Sequence, residues 1–183
     1  MKFNPITVTL KNNREITIRS AVISDAEKLL ATIKEYINDS EYISKKTSEI
    51  TITVAQERDW ISSFIEKQNS LLLIAEYDQE IIGNLDITGS SRIMMQHTGV
   101  IGMGIQAAWR NSGLGTELMK AAIAWAEKNP ILELLWLQVY TANVLGLSLY
   151  RKMHFTENGI IQNYFKHNGK YYLQYAAIGL EFL

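Results

Sequence analysis

An α/β (α+β) fold, with strands and helices interleaved, is what this sequence predicts. Three observations carry that prediction. Short segments of alternating or continuous apolar residues, such as EITIRS at 15–20 and LLLIAEY at 71–77, recur between segments whose apolar residues fall at helical spacing. The two kinds follow one another along the chain and are not grouped, so sheet and helices should pack as layers of one unit. The 183 residues are 47% apolar and 20% charged, an ordinary globular composition at about the length of one domain, and residues 1–183 are read as a single domain.

Taken in order, residues 15–20 alternate polar and apolar and predict a half-buried strand. Ser24 with Glu27 fits a capping box, and Ala26, Leu29, Leu30, Ile33, Tyr36 and Ile37 then share a helical face. Residues 38–48 are polar and read as a loop or a broken helix. Thr53 with Gln56 repeats the capping pattern and opens a second amphipathic helix, marked by Trp60, Ile61, Phe64 and Ile65 and ending near Asn69. From Leu71 the period changes. LLLIAEY and IIGNLDIT, separated by Asp78, Gln79 and Glu80, predict a hairpin. A strand from about His97 to Gln106 contains Gly99, Gly102 and Gly104, and glycine inside a strand marks a bulge or a close approach by another backbone or a ligand.

The turn WRNSGLGT then leads into a helix whose Leu114, Leu118, Ala122, Trp125 and Ala126 share a face, stopped by Asn129 and Pro130. LELLWLQVY at 132–140 is nearly continuous in apolar residues and predicts a strand buried on both faces, with Trp125 and Trp136 in the core. A short helix from about Asn143 to Met153 follows. Two closing strands flank Lys166 to Gly169, where Asn168 and Gly169 form a two-residue hairpin signal. Tyr164, Tyr171, Tyr172 and Tyr175 on that hairpin read as sheet packing, and also offer a wall for an acceptor or the seam of a homodimer.

Composition excludes several functions. Lys plus Arg (18) nearly balance Asp plus Glu (19), for a net charge of -1, so there is no basic footprint for nucleic acid. The absence of cysteine removes disulfides, thiolate metal sites and a Cys nucleophile, and three scattered histidines make no metal constellation, so no metal is expected. The N-terminal stretch is polar throughout, and no segment reaches the ~20 apolar residues of a membrane span. The expectation is a cytoplasmic protein without a membrane or nucleic-acid partner.

A strand, a turn with two glycines and a helix together make a phosphate-holding device, because the first amides of a helix have no partner within it. Gly113 and Gly115 in RNSGLGT clear the way to those amides, and Arg110 adds a positive charge. A triphosphate loop would need Lys then Ser or Thr after the second glycine, where Thr116 and Glu117 stand. A dinucleotide fingerprint fails at its third glycine, where Leu118 stands. Coenzyme A, with its pyrophosphate, suits the turn better.

Arg110, Gly113 and Gly115 match the RxxGxG signature of the GNAT superfamily of acyl-CoA N-acyltransferases, and NVLGLSLYRKMHF at 143–155 resembles that family's NxxAxxLYxxxGF motif. Order and spacing agree over residues 15–183, with two departures: Gly146 stands for the usual Ala, and His154 for the usual Gly before Phe155. The N-terminal helices and the closing NGKYY hairpin resemble the branch that includes ribosomal-protein N-terminal and spermidine acetyltransferases. The resemblance implies a mixed, mostly antiparallel twisted sheet of about seven strands flanked by about four helices, with the strands at 97–106 and 132–140 splayed around the coenzyme.

It also implies an acetyl-CoA co-substrate, held by Arg110, Asn111, Ser112, Gly113, Leu114, Gly115 and Thr116 at its pyrophosphate and by Asn143 and Tyr150 on one face of the later helix. Ile105, Gln106 and Ala107 are placed to pair with the pantetheine amides in the manner of a neighbouring strand. Tyr150 is the candidate general acid for the departing thiolate. An alkylammonium must lose a proton before it attacks, and family members often carry a Glu for this on the strand before the turn; this chain has no carboxylate there. His97 and Asp86 lead the candidates for base, ahead of Glu41 and Glu49. The expected activity is direct acetyl transfer to a primary amine, whether a protein N-terminus, a polyamine or another small amine. A non-catalytic acyl-CoA sensor is the alternative, and Lys120, Arg151 and Lys152 are candidate contacts to the coenzyme's 3′-phosphate.

Overall fold

The computed structural model of the protein describes residues 1–167 and 169–182, with main chain alone at 167, 170 and 172–178. Asn168 of the predicted hairpin signal lies outside the described residues, as do the side chains of His167, Tyr172 and Tyr175. The elements run β1 (Ile6–Thr9), β2 (Glu15–Ser20), α1 (Ala26–Asn38), α2 (Val54–Glu66), β3 (Leu71–Tyr77), β4 (Glu80–Gly89), β5 (Thr98–Ile105), α3 (Leu114–Ala126), β6 (Leu134–Tyr140), α4 (Val144–Lys152), β7 (Thr156–Glu157), β8 (Ile160–His167) and β9 (Lys170–Glu181). One sheet of nine strands holds them together in the order β1-β2-β3-β4-β5-β6-β9-β7, with β8 also paired to β9. The two strands beyond the expected seven are the short edge pieces β1 and β7.

Every strand pairing is antiparallel except β5 with β6. That parallel pairing joins only Thr98, Gly99 and Val100 to Leu134, Leu135 and Trp136; beyond Val100, β5 continues along β4 while β6 continues along β9. The two strands therefore part, as expected.

Helices cover both faces of the middle of the sheet. Leu29, Ile61 and Phe64 of α1 and α2 pack on Leu72 and Ile74. On the other face Leu114, Leu118, Ala122 and Trp125 of α3 and Leu147 of α4 pack on Leu73, Leu85, Ile87, Leu135 and Leu137. β3 lies between these layers, and Leu71 to Ala75 are all buried. β6 does not: Leu135, Leu137 and Val139 are buried, while Leu134, Trp136 and Tyr140 are half-buried and Gln138 is exposed. The expectation that 132–140 is buried on both faces, with Trp136 in the core, fails because α1 and α2 sit over β3 to β5 and stop short of β6. Trp125 is buried as expected.

Local signals explain the element ends. The Thr53–Gln56 box forms: the Gln56 N–H donates to Thr53 Oγ1 at 3.3 Å and the Thr53 N–H to Gln56 Oε1 at 2.8 Å. The Ser24–Glu27 box does not. The carboxylate of Asp25 accepts from the Val22 N–H at 2.8 Å and is held by two bonds from Arg19, at 2.7 and 2.9 Å. A bidentate charged pair outcompetes a serine cap. The β3–β4 hairpin turns through Asp78 (φ 49) and Gln79 (φ 65), a two-residue turn with both residues left-handed, and Glu80 already belongs to β4. Tyr164 and Tyr171, assigned to sheet packing, are 50% and 57% exposed, because among the described residues no helix packs closely on the β8–β9 hairpin.

Candidate active site

Where β5 and β6 part, a cleft of about 780 Å³ opens. Its floor is Ile101 to Ile105, one wall is the turn before α3, another is α4 with Asn143, Leu149 and Tyr150, and the loop after α1 (Asp39 to Ile43) closes the near end. Of the residues assigned to the coenzyme, Ile105, Arg110, Asn111, Gly113, Gly115, Thr116, Asn143 and Tyr150 line it.

The turn is shaped for an anion. Asn111 (φ 61) and Gly113 (φ 97) are left-handed, which curls the chain so that successive amides converge. The amides of Asn111, Ser112, Gly113 and Gly115 have no hydrogen-bond partner among the described residues. A Cβ on Gly115 would stand 3.3 Å from the side chains of Ile105 and Leu149, so the first helical turn lies close against the cleft floor. These features fit the pyrophosphate and pantetheine of coenzyme A.

Several assigned residues serve the scaffold instead. The Ser112 hydroxyl donates to the Trp109 carbonyl at 2.6 Å and accepts from the Leu114 N–H at 3.4 Å, so its side chain builds the turn. Leu114 points into the core and is fully buried. The Gln106 N–H donates to the Ile82 carbonyl at 3.1 Å, its side chain donates to Glu35 at 2.7 Å, and neither Gln106 nor Ala107 lines the cleft. Antiparallel pairing explains the misplacement. Alternate residues of a strand face opposite neighbours, so with Gln106 turned to β4, Gly102 and Gly104 turn there too. Ile101, Met103 and Ile105 then face the cleft with their main-chain groups.

Arg110 lines the cleft and also ties the scaffold. Its Nε donates to the Ile105 carbonyl at 3.2 Å and its Nη1 to the Asp39 carbonyl at 3.2 Å, joining the end of β5 to the end of α1. Of the candidates for the 3′-phosphate, Lys152 lines the cleft, Lys120 is paired with Glu117 at 2.9 Å, and Arg151 with Glu157 at 2.7 Å.

Asn143 caps α4: its Oδ1 accepts from the Gly146 N–H at 2.9 Å. A Cβ at position 146 would lie 2.7 Å from Asn143 Nδ2, so the Gly146 departure makes room for this cap. His154, the other departure, is left-handed (φ 65), which is why glycine is usual there. Two turns after Asn143, Tyr150 packs its ring against Phe155 at 6.1 Å. Burial pushes its phenol up to about 12, so it holds its proton across the neutral range.

The candidate bases separate clearly. His97 does not line the cleft; its carbonyl accepts from the amides of Glu133 (2.8 Å) and Leu134 (3.1 Å), at the end where β5 and β6 are still joined. At about 3.3 Å per strand residue, it is about 16 Å from Gly102. Glu49 accepts from the Lys46 N–H at 2.7 Å on an exposed turn, and Glu41 lines the cleft mouth. Asp86 stands directly behind the floor. It pairs across the strands with Gly102, and its Oδ1 is 2.6 Å from where a Gly102 Cβ would be. Burial raises the Asp86 carboxyl to about 7, against the lowering effect of the Thr88 hydroxyl, which donates to it at 3.1 Å.

Asp86 belongs to a group absent from the sequence reading. Tyr36 of α1 lies on Gly104, so closely that a Cβ there would collide with its ring, and it faces Asn84. Burial, with Asp86 and Glu57 nearby, raises the Tyr36 phenol above its ordinary value. Glu57 of α2 is 1% exposed, its Oε1 has no partner among the described residues, and burial raises it to about 7 against the pull of Lys45. Asn84 Oδ1 is likewise buried without a partner. Residues from α1, α2 and β4 that are scattered in sequence meet here, and only the polar residues on otherwise apolar faces could have signalled it.

Residues 28–155 match the model of the acetyltransferase (GNAT) family. The chain belongs to that family. It is 24% identical over 112 residues to an L-amino acid N-acetyltransferase of Escherichia coli, covering 61% of this chain and 69% of that one. The fold superposes on an acetyltransferase of the GNAT family from Streptococcus pneumoniae with a TM-score of 0.87 and 28% identity, covering 91% and 99% of the two chains. It also superposes on yncA of Salmonella typhimurium, solved with acetyl-CoA, with a TM-score of 0.80 and 15% identity over 91% and 94% of the two chains. This GNAT protein is an acyltransferase enzyme that uses acetyl-CoA. Among the described residues no helix is long and apolar enough to cross a membrane, and no group of three or more His, Cys, Asp or Glu is placed to hold a metal.

Proposed function

We propose that the protein is an N-acetyltransferase that moves the acetyl group of acetyl-CoA to a primary amine by direct attack within a ternary complex. One observation carries this reading: two buried groups that titrate far apart, at about 7 and about 12, flank a single cleft. Behind Gly102 stands a carboxyl that titrates near neutrality; on α4 stands a phenol that does not. Asp86 takes the proton that the attacking ammonium must shed, and a base poised near the working pH is suited to that task. Tyr150 holds the proton that the departing sulfur requires. Acetyl-CoA supplies the thioester, and the cleft-facing amides of Ile101, Met103 and Ile105 offer donors for its carbonyl oxygen.

The absence of cysteine supports direct transfer over a thioester-linked enzyme. For the acceptor, we favour a small molecule or N-terminus bearing an α-amino group. The named L-amino acid N-acetyltransferase supports this choice, and Asp39 and Glu41 at the cleft mouth suit a cationic amine. The test is release of free thiol from acetyl-CoA over a panel of L-amino acids, short peptides with free N-termini, and polyamines. Turnover with the first two groups is expected, and release with none of the amines would sink the proposal.

A further inference from the structure

Residues 1–14 carry no site motif, yet the β1–β2 hairpin reaches the cleft. At the hairpin tip the Lys11 N–H donates to the Ser112 carbonyl at 3.0 Å, in the middle of the phosphate turn. The Lys11 side chain then runs along Gly113, its Cγ, Cδ and Cε within 3.5–3.9 Å of the position a Cβ there would take, and it lines the cleft. Its ammonium has no ion-pair partner among the described residues. Of the cations lining the cleft, Arg110 is turned to two carbonyls and Lys152 lies across on α4, so Lys11 is the one beside the unpaired amides.

The tip is anchored as well as placed. The Leu10 N–H donates to the Arg14 carbonyl at 2.8 Å, Asn13 is left-handed at φ 61, and Leu10 is buried. The Arg14 guanidinium sits 4.9 Å from the ring centre of Trp109 and 5.5 Å from that of Tyr77, two rings that themselves pack 4.9 Å apart. Trp109 directly precedes the phosphate turn.

We propose that this hairpin tip is part of the coenzyme site, with Lys11 binding the pyrophosphate and Arg14 as the positioning residue that holds Lys11 against the turn. The proposal rests on the reading of 110–116 as the turn that receives acetyl-CoA. Four converging amides provide direction for an oxyanion but only partial charges. A lysine at their edge supplies the full charge that a diphosphate needs, and it does so as a point charge that tolerates small shifts of the ligand.

The test is calorimetric binding of coenzyme A, 3′-dephospho-coenzyme A and pantetheine to the intact protein, without an acceptor. Lys11→Ala should weaken coenzyme A about tenfold, the scale of one charge-assisted hydrogen bond. Dephospho-coenzyme A should lose as much and pantetheine nothing, while Lys11→Arg should restore most of the affinity. Arg14→Ala should show the same phosphate-dependent loss, and that loss should shrink when Lys11 is already alanine. Unchanged coenzyme A binding by Lys11→Ala, or an equal loss for pantetheine, overturns the proposal. A loss confined to coenzyme A would move Lys11 to the 3′-phosphate and overturn it too. If the wild-type protein itself binds no coenzyme A, the reading of the turn fails first and the hairpin proposal falls with it.

Discussion

The two walls of the cleft are made of different material. On the side proposed for the coenzyme the groups on offer are main-chain amides of a curled turn and a strand edge, and several side chains there serve the scaffold: Ser112 ties the turn, Leu114 anchors it in the core, and Asn143 caps α4. Behind the floor, the main chain of β4 pairs with β5, and the polar groups gathered there are the side chains of Tyr36, Glu57, Asn84 and Asp86, with Asp86 the base proposed above. Gly102 and Gly104 separate the two, and their missing side chains let Asp86 and Tyr36 approach the cleft. The contrast teaches that backbone geometry can aim donors at a phosphate, whereas moving a proton needs titratable groups taken out of water.

The largest test of this division is Tyr150→Phe. Removing the phenol should lower turnover by about 10²–10⁴-fold, with the affinity for acetyl-CoA nearly unchanged, because the amides and not the hydroxyl hold the coenzyme. Steady-state kinetics beside calorimetry would show it, and parallel losses in both would erase the distinction.

Asp86→Asn should follow, with a drop of about 10²-fold in kcat/KM. In the wild type, kcat/KM should rise with pH through about 7 as the Asp86 carboxyl ionises, while the Kd for coenzyme A stays flat over the same range. A coenzyme Kd that tracked the same titration would join the two walls.

Packing between the walls comes next. Gly104→Ala drives a Cβ into the Tyr36 ring and should cost about 1–3 kcal/mol in denaturant unfolding, typical of overpacking. Stability should also depend on pH in a way the acceptor wall dictates. Glu57 and Asp86 both bind protons more tightly when folded, with values near 7 against about 4 unfolded, so the native state carries extra protons between those limits. By linkage, stability falls as pH rises from about 4 to about 7, and Glu57→Gln should flatten part of that slope. Asp25 acts in the opposite sense: burial opposes its charge, but the bonds from Arg19 win and hold it below its ordinary value. Its contribution is present above about pH 4 and is lost in more acid solution.

The smallest effect is expected at His154→Gly. Relieving a left-handed non-glycine residue on an exposed helix end should raise stability by up to about 1 kcal/mol and leave both halves of the reaction untouched.

Much of the fold was legible in the residues. The Thr53–Gln56 cap, the hairpin around Asp78 and Gln79, the helix after Gly113 and the glycine-marked strand all lie where local spacing predicts them. The curled glycine turn that lines the cleft was legible for the same reason: a few consecutive residues contain it. Gln106 and Ala107 were placed wrongly because only the pairing register decides which way each amide points. The tie between Arg110 and the Asp39 carbonyl was not legible, because that partner lies 71 residues earlier in the chain.

Sequence by itself determined the strand–turn–helix with its curled glycine turn and the two-turn spacing that brings Asn143 and Tyr150 to one cleft wall, since both are local consequences of backbone geometry. Only the tertiary structure decided which acid stands at the floor, that Tyr36 and Glu57 join it, and that Lys11 reaches the turn. Those groups come from separate elements, and their roles arise from burial and proximity, which exist only once the layers have packed.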